Sequence, residues 1–185
     1  PLMRVSAPAG TEIKLEHAEM VNTDGTIDQS NLRKAEGTDR YICKGGDVET
    51  FEAIFTYRGF RYMQVSGLPE RPDKNTIVSQ VLHSDPEEVG SFECSHPLVN
   101  RVWLNTLWGQ RSNMHSVPTD CPQRDERLGW LGDAQAFAPT SCFNMDMARF
   151  YTKWMYDIRD SQQADGSVPG VAPNVGDWVA RPGRS

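Results

Sequence analysis

Fourteen residues, Asp120 to Asp133 (DCPQRDERLGWLGD), gather four carboxylates (Asp120, Asp125, Glu126, Asp133), two guanidiniums (Arg124, Arg127) and one indole, Trp130. One carboxylic acid kept protonated near neutral pH can deliver a proton to a leaving oxygen, which glycoside hydrolysis requires. Carboxylates and guanidiniums also bind the paired hydroxyls of a pyranose, and an indole covers its apolar C–H face. Three neighbouring carboxylates disfavour ionisation of Glu126 while Arg124 and Arg127 oppose them, so the net negative balance predicts an upward shift of its pKa. If the stretch after Arg124 is helical, Glu126, Trp130 and Asp133 share one face within about 60°. Gly129 weakens that helix and allows another backbone or a ligand to come close. A solvated, salt-bridged helix start would use the same residue types, and spacing alone leaves both readings open. Four carboxylates could also chelate calcium, but the spacing differs from the EF-hand loop and two arginines would repel a cation.

Two kinds of element must position these groups. Up to about residue 88 the pattern is strands and turns. Ile13 and Leu15 alternate with polar neighbours, Asp24-Gly25 marks a turn, and Tyr41 and Cys43 flank Ile42 before Gly45-Gly46. Phe51, Ala53, Phe55 and Tyr57 mark one face of a strand, and Phe60, Tyr62, Val65 and the run 77–82 continue the texture. Short strands at this spacing predict a β-sandwich layer, with residues 67–73 as a loop. From residue 91 the period becomes helical. Ser95 is the expected N-cap, with Pro97 in the first turn of a helix to about Asn113 that presents Leu98, Val102, Trp103, Thr106 and Leu107 on one face. A second helix over 132–144 contains Pro139. A third follows Asp146 and carries Met147, Phe150, Tyr151, Trp154, Met155 and Ile158 at i, i+3, i+4, i+7, i+8 and i+11.

The fold class read from this is mixed: a β-sandwich segment over 1–88, the first helices of a helical domain over 89–177, and an unassigned tail over 178–185. A few helices cannot close a helical domain alone, so the chain reads as cut at both ends, and Pro1-Leu2-Met3 is unlike a natural start. The 185 residues are 38% hydrophobic and 24% charged with a net charge of -6, enough for a core and against general disorder. No basic run interleaves with aromatics, so neither nucleic acid nor an anionic membrane surface is expected as a partner. No apolar stretch reaches the roughly 20 residues of a membrane span. Cys43, Cys94, Cys121 and Cys142 lack metal-type spacing and read as reduced thiols, and a cytoplasmic location is favoured over a secreted one.

The segment Asp120-Cys121-Pro122-Gln123-Arg124-Asp125-Glu126-Arg127-Leu128-Gly129-Trp130 with Gly132-Asp133 closely resembles the signature of bacterial α-L-rhamnosidases. His17-Ala18-Glu19-Met20, residues 55–62 (FTYRGFRY) and Asn105-Thr106-Leu107-Trp108 are similar to other segments of that family in the same order, so the resemblance covers roughly residues 8 to 174. It implies an inverting hydrolase with an (α/α)6 toroid behind β-sandwich domains, acting on a terminal rhamnosyl unit of a glycoside without metal or organic cofactor. Carried over by position, Glu126 matches the general acid, while Asp120, Arg124, Trp130 and Asp133 match residues that hold the rhamnose. Leu131 stands where threonine is common. The family's water-activating glutamate lies beyond this chain. Asp165 precedes Gly166 and reads as a turn residue, and Asp177 does not match the base, so the chain alone is expected to be a poor catalyst or none. A non-catalytic carbohydrate-binding fragment is the alternative.

Among the remaining residues, His17 reads as packing or hydrogen bonding, and His115 as a residue near the signature that could reach the pocket. Trp103, Trp108 and Trp154 read as core.

Overall fold

The computed structural model describes residues 1–176, so the tail at 178–185, with Trp178, and Asp177 lie outside the described residues. Two compact units are present. One contains Pro1–Leu82 with Pro122–Asp125; the other contains His83–Cys121 and the described chain from Glu126 to Gly176.

In the first unit, β1 (Leu2–Val5) lies between β6 (Glu49–Glu52) and β8 (Ile77–Val78), and β2 (Glu12–Ala18) between β5 (Thr38–Ile42) and β7 (Tyr62–Ser66). All these pairings are antiparallel. A short hairpin, β3 (Met20–Val21) with β4 (Ile27–Asp28), turns at Asp24-Gly25 as its residues predict. Side chains alternate across a strand, so Met3 and Val5 point inward from β1 while Arg4 points out, and Ile13 and Leu15 do the same from β2. These residues meet Ala7 and Cys43, with Tyr41, Phe51, Met63, Val65 and Ile77 closing around them. Both three-stranded sheets thus share one core, the predicted sandwich layer. Fully burying a side chain of this size stabilises by about 1.5–3 kcal/mol.

Two strand expectations fail. The run Phe51 to Tyr57 is not one strand. Pairing with β1 ends where Glu52 meets Leu2, and Phe55, at φ 58° and 104% exposed, faces solvent. Among the described residues the run 77–82 pairs only at Ile77 and Val78, and Val81 and Leu82, with no strand beside them there, are exposed.

Polar groups within this unit are tied down. Glu49 accepts from the Tyr41 hydroxyl (2.6 Å) and from the Lys44 and Gly45 N–H groups, bonds that hold its carboxyl below the ordinary value; the bond to Glu49, with burial and the Glu49 charge, pushes the Tyr41 phenol up to about 12. His17 is 2% exposed, with Nδ1 3.2 Å from the Gly37 carbonyl oxygen and its ring edge-on to Phe60. Asp39, 3.9 Å from His17, is paired with Arg58 at 2.6 Å. Burial lowers the His17 imidazole below its ordinary 6.5, outweighing the Gly37 carbonyl and the Asp39 charge. The unfolded chain therefore takes up this proton first, and the stability His17 contributes is present above about pH 6.5 and lost as pH falls through its folded value. Urea melts across that window are expected to show stability falling by up to about 1.4 kcal/mol per pH unit, with His17→Gln flattening the slope. An equally steep slope in the variant would remove His17 as the source.

The second unit contains α1 (Pro97–Asn113), a hairpin of β9 (Met114–His115) and β10 (Val117–Pro118), α2 (Leu131–Asn144) and α3 (Ala148–Asp160). The N-cap of α1 is His96, not Ser95. Its entry is fastened by the Asn100 side chain, which bonds both the N–H and the carbonyl of Cys94 at 2.8 Å. Leu107 is buried and Trp103 partly so, but Leu98 and Val102 are exposed. Trp108 is 45% exposed, with the Arg111 guanidinium 4.6 Å over its ring, so it is not core. Buried Gln110 links α1 to α2, donating to the Ser141 carbonyl and accepting from Asn144. Pro139 lies inside α2, which continues past it. Along α3, Met147, Phe150 and Trp154 are buried as expected, whereas Met155 is 59% exposed because the two clusters that α3 joins both lie on the Phe150–Trp154 side. No helix among the described residues is long and apolar enough to cross a membrane. Cys43 and Cys121 are buried, Cys142 is exposed, and none of the four cysteines is in a disulfide.

Candidate active site

The charged segment begins where the chain returns to the end of α1. Thr119 donates from its N–H and its hydroxyl to the Asn113 carbonyl, at 2.8 and 2.9 Å, which places Asp120 beside the last turn. Asp120 then closes a loop on itself. Its N–H donates to the Leu128 carbonyl (3.0 Å), and its Oδ1 accepts from the Leu128 N–H (2.7 Å).

Residues 126–129 are not helical, contrary to the assumption that placed Glu126, Trp130 and Asp133 on one helical face; α2 starts only at Leu131. Two features act locally: Arg127 takes a left-handed φ of 56°, and the Asp120 carboxylate occupies the Leu128 N–H. The loop nevertheless brings Glu126 to Trp130: the indole Nε1 donates to Glu126 Oε1 at 3.0 Å.

One ligand atom from each of Asp120, Cys121 and Glu126 lies within 4.8 Å of the others, so the Asp120 and Glu126 carboxylates are close neighbours. Two carboxylate oxygens of this trio are already engaged, Asp120 Oδ1 by the Leu128 N–H and Glu126 Oε1 by the Trp130 indole. Asp120 and Asp133 line one cleft of about 330 Å³, together with Thr106, Asn113, Phe137 and Tyr151. Arg124 belongs to the Pro122–Asp125 segment, which clusters with the first unit. That segment meets Gly59, whose N–H donates to the Pro122 carbonyl and whose missing Cβ leaves room for the Pro122 ring. There Asp125 is bonded by Arg33 Nε at 2.9 Å; desolvation pulls its carboxyl upward, but the Arg33 hydrogen bond and charge hold it below the ordinary value. Asp125 therefore has a cationic partner of its own, which the count of charges around Glu126 did not include.

His115 does not line the cleft. Its Nε2 is 3.1 Å from the Ser112 carbonyl oxygen, and burial lowers its imidazole. Sequence did not place Asn113, Phe137 or Tyr151 in a cleft: Asn113 reads there as a helix end and Tyr151 as part of the apolar stripe of the third helix. Only the i, i+4 relation of Phe137 to Asp133 on α2 pointed to one of them.

The loop is backed by residues 170–172. Leu131 N–H donates to the Gly170 carbonyl (2.9 Å), and Ala172 N–H to the Gly129 carbonyl (3.0 Å). A Cβ on Gly129 would run into the Ala172 carbonyl oxygen. Gly129→Ala is therefore expected to lower stability by about 1–3 kcal/mol in a urea melt, the usual cost of overpacking. A change within a few tenths would show that the two segments separate easily.

Residues 1–83 match the bacterial alpha-L-rhamnosidase concanavalin-like domain, and residues 87–183 match the bacterial alpha-L-rhamnosidase 6 hairpin glycosidase domain. A sheet domain followed by helical hairpins with clustered carboxylates is the make-up of a class of glycosidases. Within it, this chain belongs to the bacterial alpha-L-rhamnosidase family. It is 49% identical over 174 residues to the Alpha-L-rhamnosidase of Streptomyces avermitilis, covering 94% of this chain and 17% of that protein. It is 45% identical over 178 residues to one from Formosa agariphila, covering 95% and 19%. Among solved structures, the Streptomyces avermitilis enzyme complexed with L-rhamnose superimposes with a TM-score of 0.92 at 49% identity, covering 95% of this chain and 17% of that one. The alpha-L-rhamnosidase from Dictyoglumus thermophilum gives 0.94 at 46% identity, covering 98% and 20%. The chain thus spans a fifth or less of these relatives' lengths.

Proposed function

We propose that this chain carries the proton-donor half of an inverting α-L-rhamnosidase site, with Glu126 as general acid. The observation that supports it most directly is the Glu126 carboxyl held beside Asp120 in a self-closed loop and bonded by an indole. In this reading Glu126 protonates the glycosidic oxygen as the bond to the anomeric carbon breaks. Asp120, Arg124, Trp130 and Asp133 bind a terminal rhamnosyl unit, and Asp120 also clasps the loop. The rhamnose held by the Streptomyces avermitilis relative supports that substrate class. Residues 1–88 act as a sandwich-like domain and 89–177 as the start of the catalytic domain, with 178–185 unassigned.

Inversion requires a second carboxylate about 6.5–9.5 Å away to activate a water. Asp165 is a turn residue, since its Oδ1 accepts from both the N–H and the hydroxyl of Ser167. Neither Asp165 nor Asp177 matches the base of the family, so we assign the base outside these 185 residues. The test is hydrolysis of an aryl α-L-rhamnoside by the full-length enzyme, with the first-formed anomer read by NMR. Release of β-L-rhamnose is expected. Release of the α-anomer would overturn inversion, and sugar binding without turnover would leave a carbohydrate-binding role instead.

A further inference from the structure

A glutamate side chain turns about three torsions, so an acid that must sit within hydrogen-bond reach of one oxygen needs something to hold it. One contact that holds Glu126 here is the Trp130 indole, 3.0 Å from Glu126 Oε1. The indole is itself fixed. Its backbone N–H donates to Leu128, its carbonyl accepts the Ala134 N–H in the first turn of α2, and it forms a bridge with Val171. A Cβ on Gly170 would touch the ring at 3.6 Å, so the backbone there lies against the indole. The bonds from Leu131 to Gly170, from Ala172 to Gly129, and from Trp154 Nε1 to the Ala172 carbonyl (2.9 Å) hold this backing in place.

We propose that Trp130 is the positioning residue of the general acid, its N–H acting on Glu126 in addition to its ring face acting on the sugar. This rests on the assignment of Glu126 above. With Oε1 accepting from the indole, the proton to be delivered resides on Oε2. When it passes to the glycosidic oxygen, the carboxyl becomes a carboxylate, and a neutral hydrogen bond becomes a charge-assisted one, which is stronger. Stabilisation therefore grows during the reaction, when it is useful for rate. The indole can still offer its face to a sugar, because the face and the N–H are different parts of the ring.

Two measurements test this separately. In the ¹⁵N-labelled chain, with its five tryptophans assigned by triple resonance, the Trp130 indole N–H shift is expected to follow the titration of Glu126 and to lose that dependence in Glu126→Gln. An indole resonance indifferent to both overturns the proposal without reference to activity. In the full-length enzyme, Trp130→Phe keeps an aromatic face and removes the donor. It is expected to cut kcat about 10-fold or more on a rhamnoside with a poor leaving group, where general acid catalysis matters, and about 2-fold or less on a dinitrophenyl rhamnoside. The alkaline limb of its pH profile is expected to move up, since a lost donor no longer favours the carboxylate. A rise in KM alone, equal for both substrates and with the pH profile unmoved, makes Trp130 a sugar platform only and overturns the proposal. Activity that survives Glu126→Gln on the poor leaving group overturns instead the assignment of the acid.

Discussion

Glu126→Gln in the full-length enzyme is expected to lower turnover of an alkyl or unactivated aryl α-L-rhamnoside by about 10²–10⁴-fold, the range contributed by a positioned general acid. Glutamine matches glutamate in size and can still accept from the Trp130 indole, so the loop closed by Asp120 and Leu128 should survive. KM should change little, because the proton is needed in the transition state and not for binding. A dinitrophenyl leaving group departs as a stable anion without protonation, so the deficit should nearly vanish with that substrate. The pairing of these two substrates makes the test specific, since a misfolded variant would lose both activities. A loss of only a few-fold on the poor leaving group would end the case for Glu126.

Trp154→Ala is expected to lower stability by about 3–5 kcal/mol, measured by urea denaturation. The ring is 6% exposed and fills the space between Ala134 and Ala172, with Leu131 and Tyr151 packed around it. Its truncation leaves a cavity and also removes the Nε1 donor to the Ala172 carbonyl. Ala172 in turn bonds Gly129, so the backing of the Glu126 loop loosens with it. Trp154→Phe keeps most of the packing and removes the donor. It should cost about 1–3 kcal/mol, the usual penalty for a buried polar group left without its partner. If the alanine variant costs less than about 1 kcal/mol, Trp154 is not the anchor of this cluster.

Much of the architecture was legible from periodicity. Ile13 and Leu15 announced the central strand of one sheet, and the stripe through Phe150 and Trp154 announced α3, because burial on one face imposes a period of 2 or 3.6 on the chain itself. Errors came where a partner decides the outcome. Phe51 to Tyr57 alternates like a strand, yet only Phe51 and Glu52 have β1 beside them, and Phe55 turns to solvent. Trp108 and Met155 are apolar enough for a core, but among the described residues neither joins a buried cluster, and Arg111 lies over the Trp108 ring.

At the candidate site, the sequence by itself determined the chemistry on offer: which carboxylates, guanidiniums and indole stand within fourteen residues, and the family signature they compose. Their arrangement was decided by the tertiary structure. A helix would have placed Glu126 and Trp130 on one face by regular rise. Instead they meet across a loop that Asp120 clasps and residues 170–172 support from behind. No periodic rule reports the support by residues 170–172, because it depends on backbone hydrogen bonds between residues distant in sequence. The same holds for Asp125. Sequence counts its charge among the neighbours of Glu126, and the fold pairs it with Arg33, a residue 92 positions away.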